Sequence, residues 1–123
     1  MRDHLDAYKV IDVALDTFPY NGTTTTCEAL WMGAAVLSRV GQTHVARVGL
    51  SLLTTVGLAE FATETDEAFV AVAVGLASDR ARLTDLRRGL RERVAKSRLT
   101  DASGFTTRFE GVLRQAWHTH CGA

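Results

Sequence analysis

Proline occurs once and cysteine twice in 123 residues, and neither sign of charge is in excess, 14 basic side chains standing against 14 acidic ones. Each scarcity removes a class. Cys27 and Cys121 lie too far apart to suggest paired spacing, so there is no disulfide framework and a reducing, cytoplasmic setting is expected. A formal net charge of zero, with a pI near 6.9, argues against a general nucleic-acid binder, which carries a clear basic excess. The longest nearly unbroken apolar run, Phe69 to Ala77, is too short to span a bilayer, so no membrane partner is expected. Met1 is followed by Arg2, Asp3, His4 and Asp6 with no apolar stretch, which is unlike a signal peptide. No repeat, low-complexity tract or linker interrupts the chain. What remains, 46% hydrophobic and 23% charged, has the composition of one soluble globular domain, able to bury about two-thirds of its unfolded surface.

Charge is unevenly spread. Asp79 to Arg98 holds 8 basic and 3 acidic residues, whereas Met1 to Ser78 holds 4 basic and 9 acidic ones. An anion-binding patch is one reading of the basic stretch. Leu83, Leu86, Leu90 and Val94 recur there at helical spacing, however, so the favoured expectation is an amphipathic helix whose arginines face solvent.

The order of elements is α/β. Val10 to Leu15 is a short apolar run rich in β-branched residues and predicts a buried parallel strand. Pro19 and Asn21-Gly22 break the backbone; Thr23 to Thr26 then lead into a helix through Met32 that Gly33 can terminate. Ala34 to Ser38 predicts a second buried strand, a helix follows from about Thr43 to Thr54, and Glu60 to Ala62 could form a small third strand. Helices alone complete the chain. Thr65 caps one through Ala77, a second covers Ala81 to Lys96, and a third begins near Asp101 with Phe105, Phe109, Val112, Leu113, Ala116 and Trp117 along one broad apolar face. The expected fold is two or three parallel strands with their helices over residues 1–62, followed by a helical tail over residues 63–123.

In open parallel sheets, ligands bind beyond the carboxyl ends of the strands, where loops lead into helices. Asp16 to Glu28 is such a segment. Asn21 and Gly22 allow a close turn, and the threonines set hydroxyls beside the unpaired amides of a helix start, an arrangement that suits a phosphate or diphosphate. Glu28, one turn on, can accept hydrogen bonds from sugar hydroxyls. Threonine is also a common cap, and a Gly-Thr run without a Walker-type lysine is a weak motif.

The stretch Ile11-Asp12-Val13-Ala14-Leu15-Asp16-Thr17-Phe18-Pro19-Tyr20-Asn21-Gly22-Thr23-Thr24-Thr25-Thr26-Cys27-Glu28-Ala29-Leu30-Trp31-Met32-Gly33 closely resembles the carboxyl-terminal part of O-linked N-acetylglucosamine transferases, in particular their bacterial and SPINDLY-like relatives. His44 to Gly49 with Ser51-Leu52-Leu53, Gly57 to Glu60, Leu86 to Arg93, and Phe105, Glu110 and Trp117 continue in the family's order, so nearly the whole chain is covered. The resemblance implies part of the second, Rossmann-like domain of a GT-B glycosyltransferase, with UDP-N-acetylglucosamine as donor, protein serine or threonine as acceptor, and no metal cofactor. By position, Thr24 and Thr25 match the pair that contacts the diphosphate. Glu28 matches the acidic residue on the ribose hydroxyls, and His4 the histidine against the uracil.

Three departures stand out. Thr23 replaces a histidine common before the threonine pair, Ala35 replaces a usual proline, and Arg39 enters a stretch that is normally apolar or small. Weaker candidates remain: His44 and Arg47 could add an anion contact or simply pack or form ion pairs. His118, His120 and Cys121 could ligate zinc, but their crowding at the chain end favours an exposed tail. Cys27 begins a helix, where the dipole can lower a thiol pKa; its apolar neighbours favour packing. Trp31 and Trp117 are expected in the core.

Measured against the family, the chain lacks the amino-terminal domain, the helical repeats and the first half of the nucleotide domain. The expectation is therefore a truncated or split donor-binding portion, inactive alone, working with the missing half or a partner chain and prone to self-association through an open sheet edge. A non-catalytic α/β interaction module with a vestigial nucleotide site is the alternative.

Overall fold

The structure, a computed structural model, describes residues 2–122, with side chains from His4 onward. Three parallel strands, β1 (Val13–Asp16), β2 (Ala35–Arg39) and β3 (Ala62–Thr63), lie in the order β1-β2-β3. Before β1 come the short helix α1 (Arg2–Ala7) and a 3-10 turn (Tyr8–Val10); α2 (Thr24–Trp31) and α3 (Val48–Thr55) connect the strands. The helices α4 (Asp66–Ser78), α5 (Arg80–Ala95) and α6 (Ala102–Cys121) follow. Among the described residues no helix is long and apolar enough to cross a membrane.

The central strand organises the core. Ala35, Val36, Leu37 and Ser38 are all buried, and because successive strand residues point to opposite faces, both faces of β2 are covered. Helices α2, α3, α4 and α5 all reach it, and Leu30, Leu53, Leu58, Phe61 and Leu90 fill the space around it. The α2 to β2 turn requires Gly33. Its φ is +86°, and a Cβ there would lie 2.7 Å from the Arg87 carbonyl oxygen, so the turn and the close approach of α5 both exclude a side chain.

Several expectations are corrected. The first strand is Val13–Asp16 rather than Val10 to Leu15, and it is an edge: Val10 is 85% exposed and Leu15 is exposed too. Residues 43–54 divide into a 3-10 turn (His44–Ala46) and α3. The third strand comes after a 3-10 turn at Ala59–Phe61 and has two residues. Trp31 is 38% exposed, flattened beneath the Arg91 guanidinium, which lies 5.2 Å from its ring centroid. Trp117 is 65% exposed, together with Phe105, Phe109, Val112 and Leu113, because α6 projects from the body with its apolar face uncovered.

The basic helix turns its leucine stripe inward and leaves most of its arginines exposed, as expected, with Arg87 half-buried; four of the arginines also tie elements together. Arg91 Nε donates to the Trp31 carbonyl at the end of α2, and Arg93 Nη1 to the Gly57 carbonyl just past α3. The Trp31 carbonyl is among those a helix end leaves without partners. Arg87 donates to the carbonyls of Tyr8 and Ile11, while Arg82 pairs with Glu60 and stacks over Phe61. The unusual Arg39 has a similar use: Nε donates to Asp66 at 2.7 Å and its guanidinium lies over Phe18.

The loop after β1 is held by Asn21, whose side chain is fully buried. Its Oδ1 accepts from the Gly49 N–H at 3.2 Å and its Nδ2 donates to the Arg39 carbonyl at 3.4 Å, while its backbone N–H donates to Val45. Replacing Asn21 by Ala leaves buried partners unsatisfied, so N21A is expected to lower the unfolding free energy by about 2–3 kcal/mol in chemical denaturation. Phe109→Ser and Trp117→Ser, on the uncovered face of α6, are expected to change it by less than about 0.5 kcal/mol.

Candidate functional site

The site begins at the carboxyl end of β1. Asp16 lies opposite Ser38 in the β1 and β2 register, and its two oxygens serve two neighbours. Oδ1 accepts from the Gly22 N–H and Oδ2 from the Ser38 hydroxyl, each at 2.7 Å. The loop is thus folded back over the strand ends. Gly49 closes the same cluster, since a Cβ there would lie 2.0 Å from Ser38 Oγ and 2.7 Å from Asp16 Oδ2. From this fixed loop α2 starts.

The start of α2 is open. Thr65, Asp79 and Asp101 each accept a hydrogen bond from an amide in the first turn of α4, α5 and α6, whereas Thr23 makes no such bond to α2. Thr26 turns inward, its hydroxyl donating to the Gly22 carbonyl, and is buried. Thr24 and Thr25 stay exposed on the first turn. The first-turn amides of α2 therefore have no side-chain oxygen from its N-cap, and the positive end of the helix dipole faces outward beside two hydroxyls.

Two residues far apart in sequence meet beside this opening. His4 Nε2 and Glu28 Oε2 are 3.0 Å apart, linking α1 to α2. Tyr8 joins them: its hydroxyl donates to the Thr25 carbonyl at 3.4 Å, and its ring stands edge-on to the His4 ring at 5.7 Å between centroids. Burial and the Glu28 charge push the Tyr8 phenol above its ordinary pKa, so it remains a hydrogen-bond donor near neutral pH. Burial, then Glu28, likewise push the Cys27 thiol up. That direction is in keeping with the packing role.

The candidates fall into two neighbouring groups. A cleft of about 340 Å³ is lined by Tyr8, Asp16, Tyr20, Gly22, Thr25 and Thr26, next to the His4 and Glu28 pair. A second cleft, of about 550 Å³, brings together Thr23, His44, Arg47 and Ser51; Arg47 also donates to the Gly41 carbonyl. Thr24 lines neither. His118, His120 and Cys121 lie on the last turns of α6, and no group of three potential metal ligands converges among the described residues. Sequence reasoning missed Tyr8 and Ser38, and has Asp16 only as the start of the candidate segment. Tyr8 stands one helical turn after His4, a spacing that could have marked it.

The model of Glycosyl transferase family 41 matches residues 1–109. A probable UDP-N-acetylglucosamine--peptide N-acetylglucosaminyltransferase SPINDLY of Hordeum vulgare is 46% identical over 98% of this chain, and the Arabidopsis thaliana protein of the same description is 42% identical over the same share. The chain spans 13% of the length of these relatives. Among solved structures, a mutant of the Thermobaculum terrenum O-GlcNAc transferase superposes with a TM-score of 0.89 and 39% identity, covering 99% of this chain and 24% of that one. With its three parallel strands, its loop folded over the strand ends and this family match along most of its length, the chain belongs to glycosyl transferase family 41.

Proposed function

We propose that this chain is the donor-binding portion of a protein O-GlcNAc transferase-like enzyme, taking the UDP moiety of UDP-N-acetylglucosamine at the start of α2. The carrying observation is the meeting of His4 and Glu28, 24 residues apart, beside an uncapped helix start that bears Thr24 and Thr25. The diphosphate lies on the first-turn amides and the two threonine hydroxyls, where free N–H groups and the helix dipole both favour an anion. Glu28 accepts from the ribose hydroxyls, and the His4 ring covers the uracil. Thr23, His44 and Arg47, in the adjoining cleft, give a weaker second contact for the donor. This reading needs no metal: the first-turn amides and the hydroxyls hydrogen-bond the diphosphate, and the helix dipole favours its charge.

The chain does not transfer sugar alone. Glycosyl transfer needs the departing UDP stabilised and the acceptor oriented against the sugar at once, and the groups described here surround only the nucleotide. Two surfaces support a role within a larger catalytic unit, in one chain or with a partner: the open edge of β1 and the uncovered apolar face of α6. The same face favours the second reading, a non-catalytic interaction module. Self-association through the β1 edge belongs with either, since an unpaired strand is a template for another.

Calorimetric titration with UDP separates the readings. Binding that is unaffected by EDTA and weakened roughly tenfold by Glu28→Ala, through loss of charge-assisted hydrogen bonds, is the expected outcome. Thr25→Ala is expected to weaken it less, since its backbone amide stays. No heat at millimolar UDP would leave the interaction module as the better account. Incubation of the chain with labelled UDP-N-acetylglucosamine and an acceptor peptide is expected to give no transfer.

A further inference from the structure

We propose that Arg87, on α5, is a positioning residue for the nucleotide pocket, holding the His4 and Tyr8 wall at a fixed distance from the Thr25 and Glu28 wall. The inference rests on the reading of that pocket as a nucleotide site. It starts from the backbone before β1. The turn Tyr8–Val10 ends at Ile11, whose N–H donates to the Tyr8 carbonyl, and leads into β1 with no helix between. Arg87 Nη1 donates to the Tyr8 carbonyl at 3.1 Å and Nη2 to the Ile11 carbonyl, across 79 and 76 residues. Asp12, 3.7 Å away, balances the charge. The planar guanidinium fork sets both carbonyls at once, which the single ammonium of lysine cannot reproduce in full.

The opposite wall is fixed to the same turn of α5. Gly33 ends α2 against the Arg87 carbonyl, closely enough to exclude a Cβ. One residue thus meets α2 through its backbone and the Tyr8 turn through its side chain. Tyr8 passes the constraint on through its hydroxyl to the Thr25 carbonyl and its ring edge to His4. Arg87 is not on the cleft wall described above and acts only through these neighbours. Uracil and ribose contacts come from the two walls together, so their separation sets the fit.

The test uses the full chain, labelled for NMR, with Arg87→Met, Arg87→Lys and, as a control of comparable kind, Arg93→Met, which loses a carbonyl contact at the far side of α5. NOEs between the His4 and Tyr8 rings are expected in the wild type and in R93M, lost in R87M and retained in part in R87K. UDP affinity is expected to fall roughly tenfold in R87M and about threefold in R87K, a size typical of residues that act through others, with R93M unchanged. Should R87M fail to fold, R87K against R93M carries the same comparison. Unchanged NOEs and affinity in the Arg87 variants, or an equal loss in R93M, would overturn the proposal. A wild type that binds no UDP, with the NOE pattern as expected, would sink the nucleotide reading and leave Arg87 as the residue that positions the ring pair.

Discussion

The buried amide of Asn21 is the constraint on which the site depends. A loop leaving the end of a short edge strand has little to fix it, and here Asn21 alone is buried, where each polar group must be paired. Asn21 supplies both a donor and an acceptor from one rigid group, satisfying the carbonyl that ends β2 and the amide that begins α3. Aspartate cannot do this, because its carboxylate only accepts. Asp16 completes the arrangement from the strand side by receiving Gly22 and Ser38. Once these contacts are made, the direction of α2 is decided, and with it the orientation of its open first turn. The open helix start follows from the folding of a loop.

The arginines of α5 show a complementary economy. A small sheet with short helices has many helix and turn ends relative to its core, and each end leaves carbonyls without partners. Arg87, Arg91 and Arg93 each reach one or two of these. Long side chains with several donors suit the task because their stems cover apolar surface while their heads meet oxygen. The basic excess between residues 79 and 98 thus serves the fold in part. Net charge along a helix face tells little about ligands until the carbonyls within reach are known.

That distinction explains what could be read from the sequence. Thr65 and Asp101 were legible because a cap is local: the side chain and the amide it receives are three residues apart. Gly33 was legible for the same reason, though its closeness to Arg87 was not. The order of strands and helices followed from periodicity, while strand ends drifted because Ile11 and Asp12 are apolar and acidic neighbours in an extended turn that no pattern distinguishes from a strand. Trp31 and Trp117 are exposed against the expectation of a core position, since composition does not say whether a partner covers a tryptophan. Asn21-Gly22 reads as a turn signal, and nothing near it announces Gly49, 28 residues on. Resemblance placed His4 and Glu28 in one site; their direct contact, and the part of Tyr8 in it, came from geometry.

The same contacts bear on why a portion of this size holds its shape with two apolar surfaces open. Everything that fixes the pocket lies inward of β1: Asp16 to Ser38 across the sheet, Asn21 to α3, Arg87 to the turn before the strand. None of these contacts involves the free edge of β1 or the projecting face of α6. A surface that another body is to cover has to stay available, and a site that must be ready beforehand has to be built without it. Here the contacts from Asp16, Asn21 and Arg87 are buried or half-buried, and the uncovered apolar side chains, Leu15 on the edge and Phe105 to Trp117 on α6, lie outside. Covering those surfaces would therefore add apolar burial without displacing the contacts that fix the cleft.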